Sequence, residues 1–136
     1  MGTIQRFEDF HSWQTARELT RLVYQLSNSG AFSYDFGLRD QMRRAAVSIL
    51  SNIAEGFESR TQSLFIEFLG RSKGSAGEMR AQCYIALDVG YIDQIQFQQL
   101  YGLAEKSSCQ IAKFIQYLET QPNSRRIRDD QTEYQV

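Results

Sequence analysis

Residues 43–56 of this chain read RRAAVSILSNIAEG, and this stretch decides the fold. Its apolar side chains recur at the three- and four-residue spacing of one helix face. Small and polar residues, among them Ser48, Asn52 and Glu55, stand between the apolar ones. A helix with one solvent face does not need that mixture, whereas polar groups at a buried interface need partners. The stretch therefore predicts a helix packed on more than one side, with polar side chains held at an interface.

We expect this helix at about residues 38–55. Residues near each of its ends add information about where it starts and stops. The pair Arg43-Arg44 lies near the predicted start, where the helix dipole disfavours positive charge. Gly56 follows the last predicted helical residue. Because glycine adopts positive φ without a steric penalty, Gly56 predicts a left-handed stop.

The same periodicity predicts three further helices. The first covers about residues 12–26 and the third about residues 62–89. The fourth starts at the N-cap Asp93, with Gln96 at the capping-box position, and stops at Pro122. No stretch alternates like a strand between turns. Because the connections are short, we expect an all-α protein, an antiparallel up-down-up-down four-helix bundle.

The third helix carries the most unusual residues. Either Ser59 or Thr61 is predicted to cap it. Gly70, Gly74 and Gly77 then interrupt it, each at a cost of up to about 1 kcal/mol against alanine. Such a small stripe favours close approach of another helix, and a hinge or a ligand groove is the alternative.

The length and charge of the chain limit its class. At 136 residues it is one domain, with the bundle placed at 1–120 and a flexible polar tail expected at 121–136. The net charge is −1 and the sequence pI is about 5.8, so no overall basic excess points to nucleic acid or to an anionic membrane. Twelve of the 15 basic residues are arginine, the better bidentate partner for carboxylate or phosphate.

Cysteine usage and the N-terminus indicate the compartment. Cys83 and Cys109 lie far apart and lack the spacing of a disulfide framework or a zinc site, so we expect buried, reduced thiols. Residues 1–10 contain no apolar core of a signal peptide. No apolar run reaches the length of a membrane span. We therefore expect a soluble cytoplasmic protein with no membrane partner.

The sequence offers little for catalysis. With His11 as its one histidine, the chain cannot supply the two Glu-x-x-His motifs of a di-iron bundle. Residues 70–75, GRSKGS, have the wrong order for a phosphate loop and follow no strand. We expect no catalytic residue, no cofactor and no metal.

Six short motifs resemble one family, the four-helix-bundle proteins named for the 23S rRNA intervening sequence. The resemblance covers about residues 7–118, and its most specific part is NIAEG at its distance from GS-x-x-E. The motifs are WQ-x-A at 13–16, QMRRAAVSI at 41–49, NIAEG at 52–56, FIEFL at 65–69, GS-x-x-E at 74–78 and L-x-x-GYI at 87–92.

The resemblance implies an all-helical bundle that assembles as a ring-like homopentamer, and it does not imply an enzyme. A related branch, the accessory variability proteins of diversity-generating retroelements, forms pentamers that bind nucleic acid and a reverse transcriptase. That branch is markedly basic, whereas this chain is nearly neutral. The expected function is therefore a homo-oligomeric scaffold, with self as the partner.

The alternative is a nucleic-acid-binding accessory protein, for RNA or DNA, that acts through an arginine-lined surface of the oligomer. Five arginines are the candidates for phosphate contacts: Arg17, Arg21, Arg39, Arg43 and Arg44. The competing interpretation is that Arg43 or Arg44 pairs with a carboxylate, in the bundle or across a subunit interface. The candidate carboxylates are Glu55, Glu67 and Glu78, and Asn52, Glu55 and Glu78 are the predicted polar interface residues.

Overall fold

The structure is a computed structural model that describes residues 4–122 and contains four α-helices in that range. Short 3₁₀ turns precede the first and second helices, and the described residues contain no strand, so the predicted all-α class is confirmed. Residues 123–136 of the predicted tail lie outside the described residues. The helices are α1 (His11–Ser27), α2 (Phe36–Glu58), α3 (Gln62–Asp88) and α4 (Gln94–Thr120).

The four helices surround one core. Helices α1 and α3 each pack against both α2 and α4. At one end an aromatic cluster fills the interior, with the Phe10 ring 4.7 Å from Phe114 and 5.4 Å from Phe57. The Phe65 ring lies 5.3 Å from Phe114 in an edge-on arrangement. Burying one such ring stabilises the fold by roughly 1.5–3 kcal/mol.

Helix α2 begins earlier than the sequence predicts. Asp35 is its N-cap, because the side chain accepts a hydrogen bond of 3.1 Å from the Leu38 backbone N–H. The helix therefore starts at Phe36. Arg43 and Arg44 lie well beyond the first turn, where the helix dipole has little effect, so the predicted penalty does not apply.

Gly56 does not stop α2, and this prediction is wrong. The helix continues to Glu58, and among the described residues only Gly30 and Gly90 have positive φ. A Cβ at Gly56 would lie 2.7 Å from Cδ1 of Phe65 and 3.0 Å from Cβ of Phe68. Glycine is needed here because α3 approaches α2 too closely for any larger residue.

The ends of α3 and α4 follow the sequence signals. Thr61 caps α3 by accepting from the Leu64 backbone N–H at 3.1 Å, whereas Ser59 closes α2. Gly90, at φ 81°, provides the left-handed stop after α3. Asp93 and the residue three positions later form the predicted capping box of α4.

The glycines in the middle of α3 have no other helix of residues 4–122 against them. A Cβ at Gly70 or Gly74 would meet no heavy atom within 4 Å, and one at Gly77 would meet only the Arg80 side chain at 4.0 Å. The single chain therefore does not show the close approach expected at this stripe. The prediction of two buried thiols is half wrong, since Cys83 is buried and Cys109 is exposed.

Candidate interaction surface

An open groove of about 620 Å³ runs along the outer face of α2. Its α2 residues recur every three or four positions, so they share the helix face that points away from the core. The lining combines two arginines, two carboxylates, a valine and several small polar side chains, which gives no net charge. We call this surface the α2 groove, lined by Tyr24, Asp40, Arg43, Arg44, Val47, Ser48, Ser51, Asn52 and Glu55.

Arg43 is held in place by α1. Its Nε donates a hydrogen bond of 2.9 Å to Oγ of Ser27, and its guanidinium lies 4.6 Å from the centre of the Tyr24 ring. Both contacts cross from α2 to α1, so Arg43 helps to join these helices. Arg43 forms no ion pair with a glutamate within residues 4–122, and a pairing across a subunit interface stays a prediction.

Arg39 is also engaged. Its Nε lies 2.9 Å from Oδ1 of Asp40, and its Nη1 donates to the Ser33 carbonyl at 3.0 Å. Its guanidinium stacks 4.6 Å from the centre of the Phe36 ring, which is 58% exposed. Three contacts fix this arginine, and Asp40 offsets its charge.

Arg44 and Glu55 differ from these two arginines. Both are exposed in the α2 groove, and neither forms an ion pair within residues 4–122. Glu78 on α3 is likewise exposed and forms no ion pair in that range. Glu67, the third candidate carboxylate, instead pairs with Arg71 at 3.0 Å. Charges of both signs therefore remain available on the outer faces of α2 and α3.

The five predicted phosphate contacts do not form one patch. Arg17 lies 5.8 Å from the centre of the Trp13 ring on α1. Arg21 lines a separate groove of about 440 Å³ between α1 and α4, together with the carboxylate of Glu18. Only Arg43 and Arg44 share the α2 groove.

Asn52 belongs to a hydrogen-bonded group that links α2 to α3. Its Nδ2 donates to the Ser48 carbonyl at 2.8 Å and to Ser48 Oγ at 3.0 Å. Ser48 Oγ in turn lies 2.8 Å from Oγ of Ser75 on α3. Below them, Ser72 Oγ donates to the Ile49 carbonyl at 2.7 Å. The Asn52 amide is therefore satisfied by Ser48 of its own helix, and Ser48 makes the link to α3. A role for Asn52 between subunits stays a prediction.

Three features of this surface are absent from the sequence prediction. The exposed rings of Tyr24 and Phe36 support the arginines, and Ser75 completes the Asn52 group. Ser75 follows Gly74 in the motif used to recognise the family, so the sequence contained a signal for it. Tyr24 had a weaker signal, because it precedes the end of α1 by only a few residues.

A second polar link joins the ends of the helices. The phenol of Tyr91 donates a hydrogen bond of 2.8 Å to Oδ2 of Asp35, the N-cap of α2. The Leu38 backbone N–H and the Tyr91 phenol together lower the pKa of Asp35, and the same hydrogen bond raises the pKa of Tyr91. This link fixes the turn after α3 against the start of α2.

The described part of the chain contains no cluster of three or more histidine, cysteine, aspartate or glutamate side chains that could hold a metal ion. Burial raises the pKa of Cys83 to about 12, so this thiol remains protonated at neutral pH. No helix within residues 4–122 is long and apolar enough to cross a membrane.

Comparison with known proteins decides the family. The model of the 23S rRNA-intervening sequence protein family matches residues 8–113. This chain belongs to that family. The match spans α1, α2, α3 and most of α4, and it confirms the resemblance drawn from the motifs.

A solved structure supports the fold independently of sequence identity. The chain resembles the crystal structure of a protein of unknown function from the S23 ribosomal protein family of Bacteroides thetaiotaomicron VPI-5482, with a TM-score of 0.70 and 20% sequence identity. The similarity covers 76% of this chain and 97% of that one. No curated protein matches this chain.

Proposed function

We propose that this family member is a non-enzymatic scaffold, an up-down-up-down bundle that assembles into a homopentameric ring in the cytoplasm. The observation that carries the proposal is the charge balance of the α2 groove. Arg44 and Glu55 lie there without ion-pair partners within the described residues, and Asp40 offsets Arg39. A surface with unpaired charges of both signs suits a protein partner of complementary charge.

Static light scattering of the full chain tests this proposal directly. Five chains of 15.7 kDa give a mass of about 78 kDa, which we expect at micromolar concentration. A mass of 15.7 kDa that persists as the concentration is raised would refute the scaffold. Native mass spectrometry on the same sample counts the subunits, so a tetramer or hexamer would retain the scaffold but correct its symmetry.

A second function, the binding of RNA or DNA, has one observation in its favour. Arg39 and Arg43 stack on the exposed rings of Phe36 and Tyr24, and Arg44 lies beside them without an ion-pair partner in residues 4–122. Aromatic rings that stack on bases, next to arginines that contact phosphates, are typical of proteins that bind single strands. Repetition of this patch around a ring multiplies its field.

A gel shift with structured RNA and with single-stranded DNA at 50 mM and 200 mM salt tests this second function. Phosphate-led binding weakens steeply as salt rises. Arg44→Ala should weaken any binding and reduce the salt dependence. Absence of a shift at the lower salt concentration would remove this function and leave the scaffold.

A further inference from the structure

We infer that the outer face of α2 in one copy packs against the outer face of α3 in the next copy, with the α3 glycines receiving the ridge of α2. This inference rests on the proposed homo-oligomer and adds the contact that builds it. The occupant of the α2 groove is therefore a second copy of this chain.

The outer face of α3 carries a line of residues with almost no side chain. Gly70, Gly74, Gly77 and Ala81 follow one another at spacings of four, three and four residues, so they form one line along the helix. A side chain at Gly70 or Gly74 would meet nothing in its own chain. Small residues at this spacing let another helix approach closely, and no helix within the described range 4–122 does so.

The outer face of α2 carries the matching ridge. Asp40, Arg44, Val47 and Ser51 line the α2 groove at the same spacings of four, three and four residues. A ridge and a line of small residues with equal spacing interlock when the two helices lie side by side. The two faces therefore match in period.

Contacts within the chain set the register. The hydrogen bonds from Ser72 to Ile49 and between Ser48 and Ser75 place these residues level in pairs, with numbers that rise in α2 and fall in α3. In a ring whose axis runs parallel to the helices, every copy lies at the same height. The same levels therefore apply between α2 of one copy and α3 of the next.

This register brings three of the four members of the ridge opposite a small residue. Val47 lies level with Gly74 of the next copy. Ser51 lies level with Gly70, and Asp40 with Ala81. No shift along the axis is needed to obtain this match.

The charges agree with the same register. Arg44 lies level with Glu78 of the next copy, and each of these side chains is exposed and lacks an ion pair within residues 4–122 of its own chain. Phe36, 58% exposed, lies level with Ile85, 49% exposed. The contact would therefore cover two unpaired charges of opposite sign and two exposed apolar side chains.

The positions of the two helices explain why the contact closes. Helices α2 and α3 are neighbours around the core, so their outer faces point about 90° apart in a four-helix bundle. The directions to the two neighbours in a ring differ by about 90° for four copies and about 108° for five. A contact from α2 to α3 thus yields a small closed ring, and a slight opening of the bundle gives five.

Gly74→Leu tests the contact, with Gly102→Leu as its matched control. Gly102 is an exposed glycine of α4 at which a Cβ meets nothing within 4 Å, so both leucines fit the single chain. We expect Gly74→Leu to reduce the mass in light scattering from that of the oligomer to 15.7 kDa. Helix content by circular dichroism should stay that of the wild type, and Gly102→Leu should remain assembled.

A charge exchange provides a test that adds no bulk. Arg44→Glu should raise the dissociation constant of the oligomer at least tenfold, and combination with Glu78→Arg should restore it. Arg21→Glu, in the other groove, should have no effect. The inference is overturned if wild type assembles while Gly74→Leu assembles equally well, or if the double exchange fails to rescue. In either case the scaffold itself stands, because only a monomeric wild type refutes it.

Discussion

Gly56 and Gly74 are both helical glycines, yet their surroundings are opposite. A Cβ at Gly56 would collide with Phe65 at 2.7 Å, whereas a Cβ at Gly74 would meet nothing within 4 Å. The first glycine is explained by the packing of α2 on α3 inside the chain. The second has the same cost in helix propensity and no compensation inside the chain. For Gly74, the inferred contact with α2 of the next copy would supply that compensation.

Substitution of Gly56 should have the largest effect. Gly56→Ala places a methyl group against the buried ring of Phe65, which is held by Phe10 and Phe114 and cannot move aside. We expect a loss of about 1–3 kcal/mol in the free energy of unfolding, measured by urea titration. An unchanged urea midpoint would show that the two helices separate easily.

At an exposed glycine, we expect substitution by alanine to increase the free energy of unfolding. Gly102→Ala adds a methyl group to α4 with no heavy atom within 4 Å, so only the gain in helix propensity remains. The free energy of unfolding should rise by up to about 1 kcal/mol. If Gly56→Ala and Gly102→Ala change the urea midpoint in the same direction, the contrast between inner and outer glycines fails.

The hydrogen bond between Asp35 and Tyr91 makes the stability of the start of α2 depend on pH. Because the folded state lowers the pKa of Asp35 below its ordinary value of 3.8, its contribution is present above that value and is lost as the pH falls through the folded pKa. Asparagine can still cap the helix but does not titrate. We therefore expect Asp35→Asn to show a smaller drop in stability than wild type between pH 5 and pH 2, followed by thermal unfolding.

The labelling rates of the two cysteines distinguish the interior of the bundle from its surface. Cys83 is buried with its pKa raised to about 12, and Cys109 is exposed. A thiol reagent should label one cysteine rapidly at pH 8 in the native protein and the other only after unfolding. Mass spectrometry of the labelled peptides should place the fast site at residue 109, and Cys109→Ser should abolish it.

The sequence predicts the parts of the fold that depend on local chemistry. Asp93, and Thr61 as one of two candidates, act as predicted because a cap needs only the neighbouring backbone. Gly56 was misread because its role depends on Phe65, which belongs to another helix. Local sequence contains no record of such a contact, so a stop and a close approach look alike.

The candidate surface was predictable to a smaller extent. That Asn52 has a hydrogen-bond partner is predictable, because a polar residue beside an apolar stripe needs one, but its partner Ser48 lies on the same helix. Arg21 and Arg44 line different grooves of the single chain, a separation that the sequence alone does not reveal. The outcome depended on rotations of α1 and α2 about their axes, and hydrophobic periodicity alone sets these only coarsely.

The ring of Phe10 has a consequence for how the chain folds. It precedes α1, yet it packs on Phe57, Phe65 and Phe114, which belong to the three later helices. Contacts between residues so distant in the chain carry the largest loop-closure entropy, whereas α2 with α3 and α3 with α4 meet across short turns. We therefore expect the contact of Phe10 with Phe114, which joins the start of α1 to the last part of α4, to form late in folding.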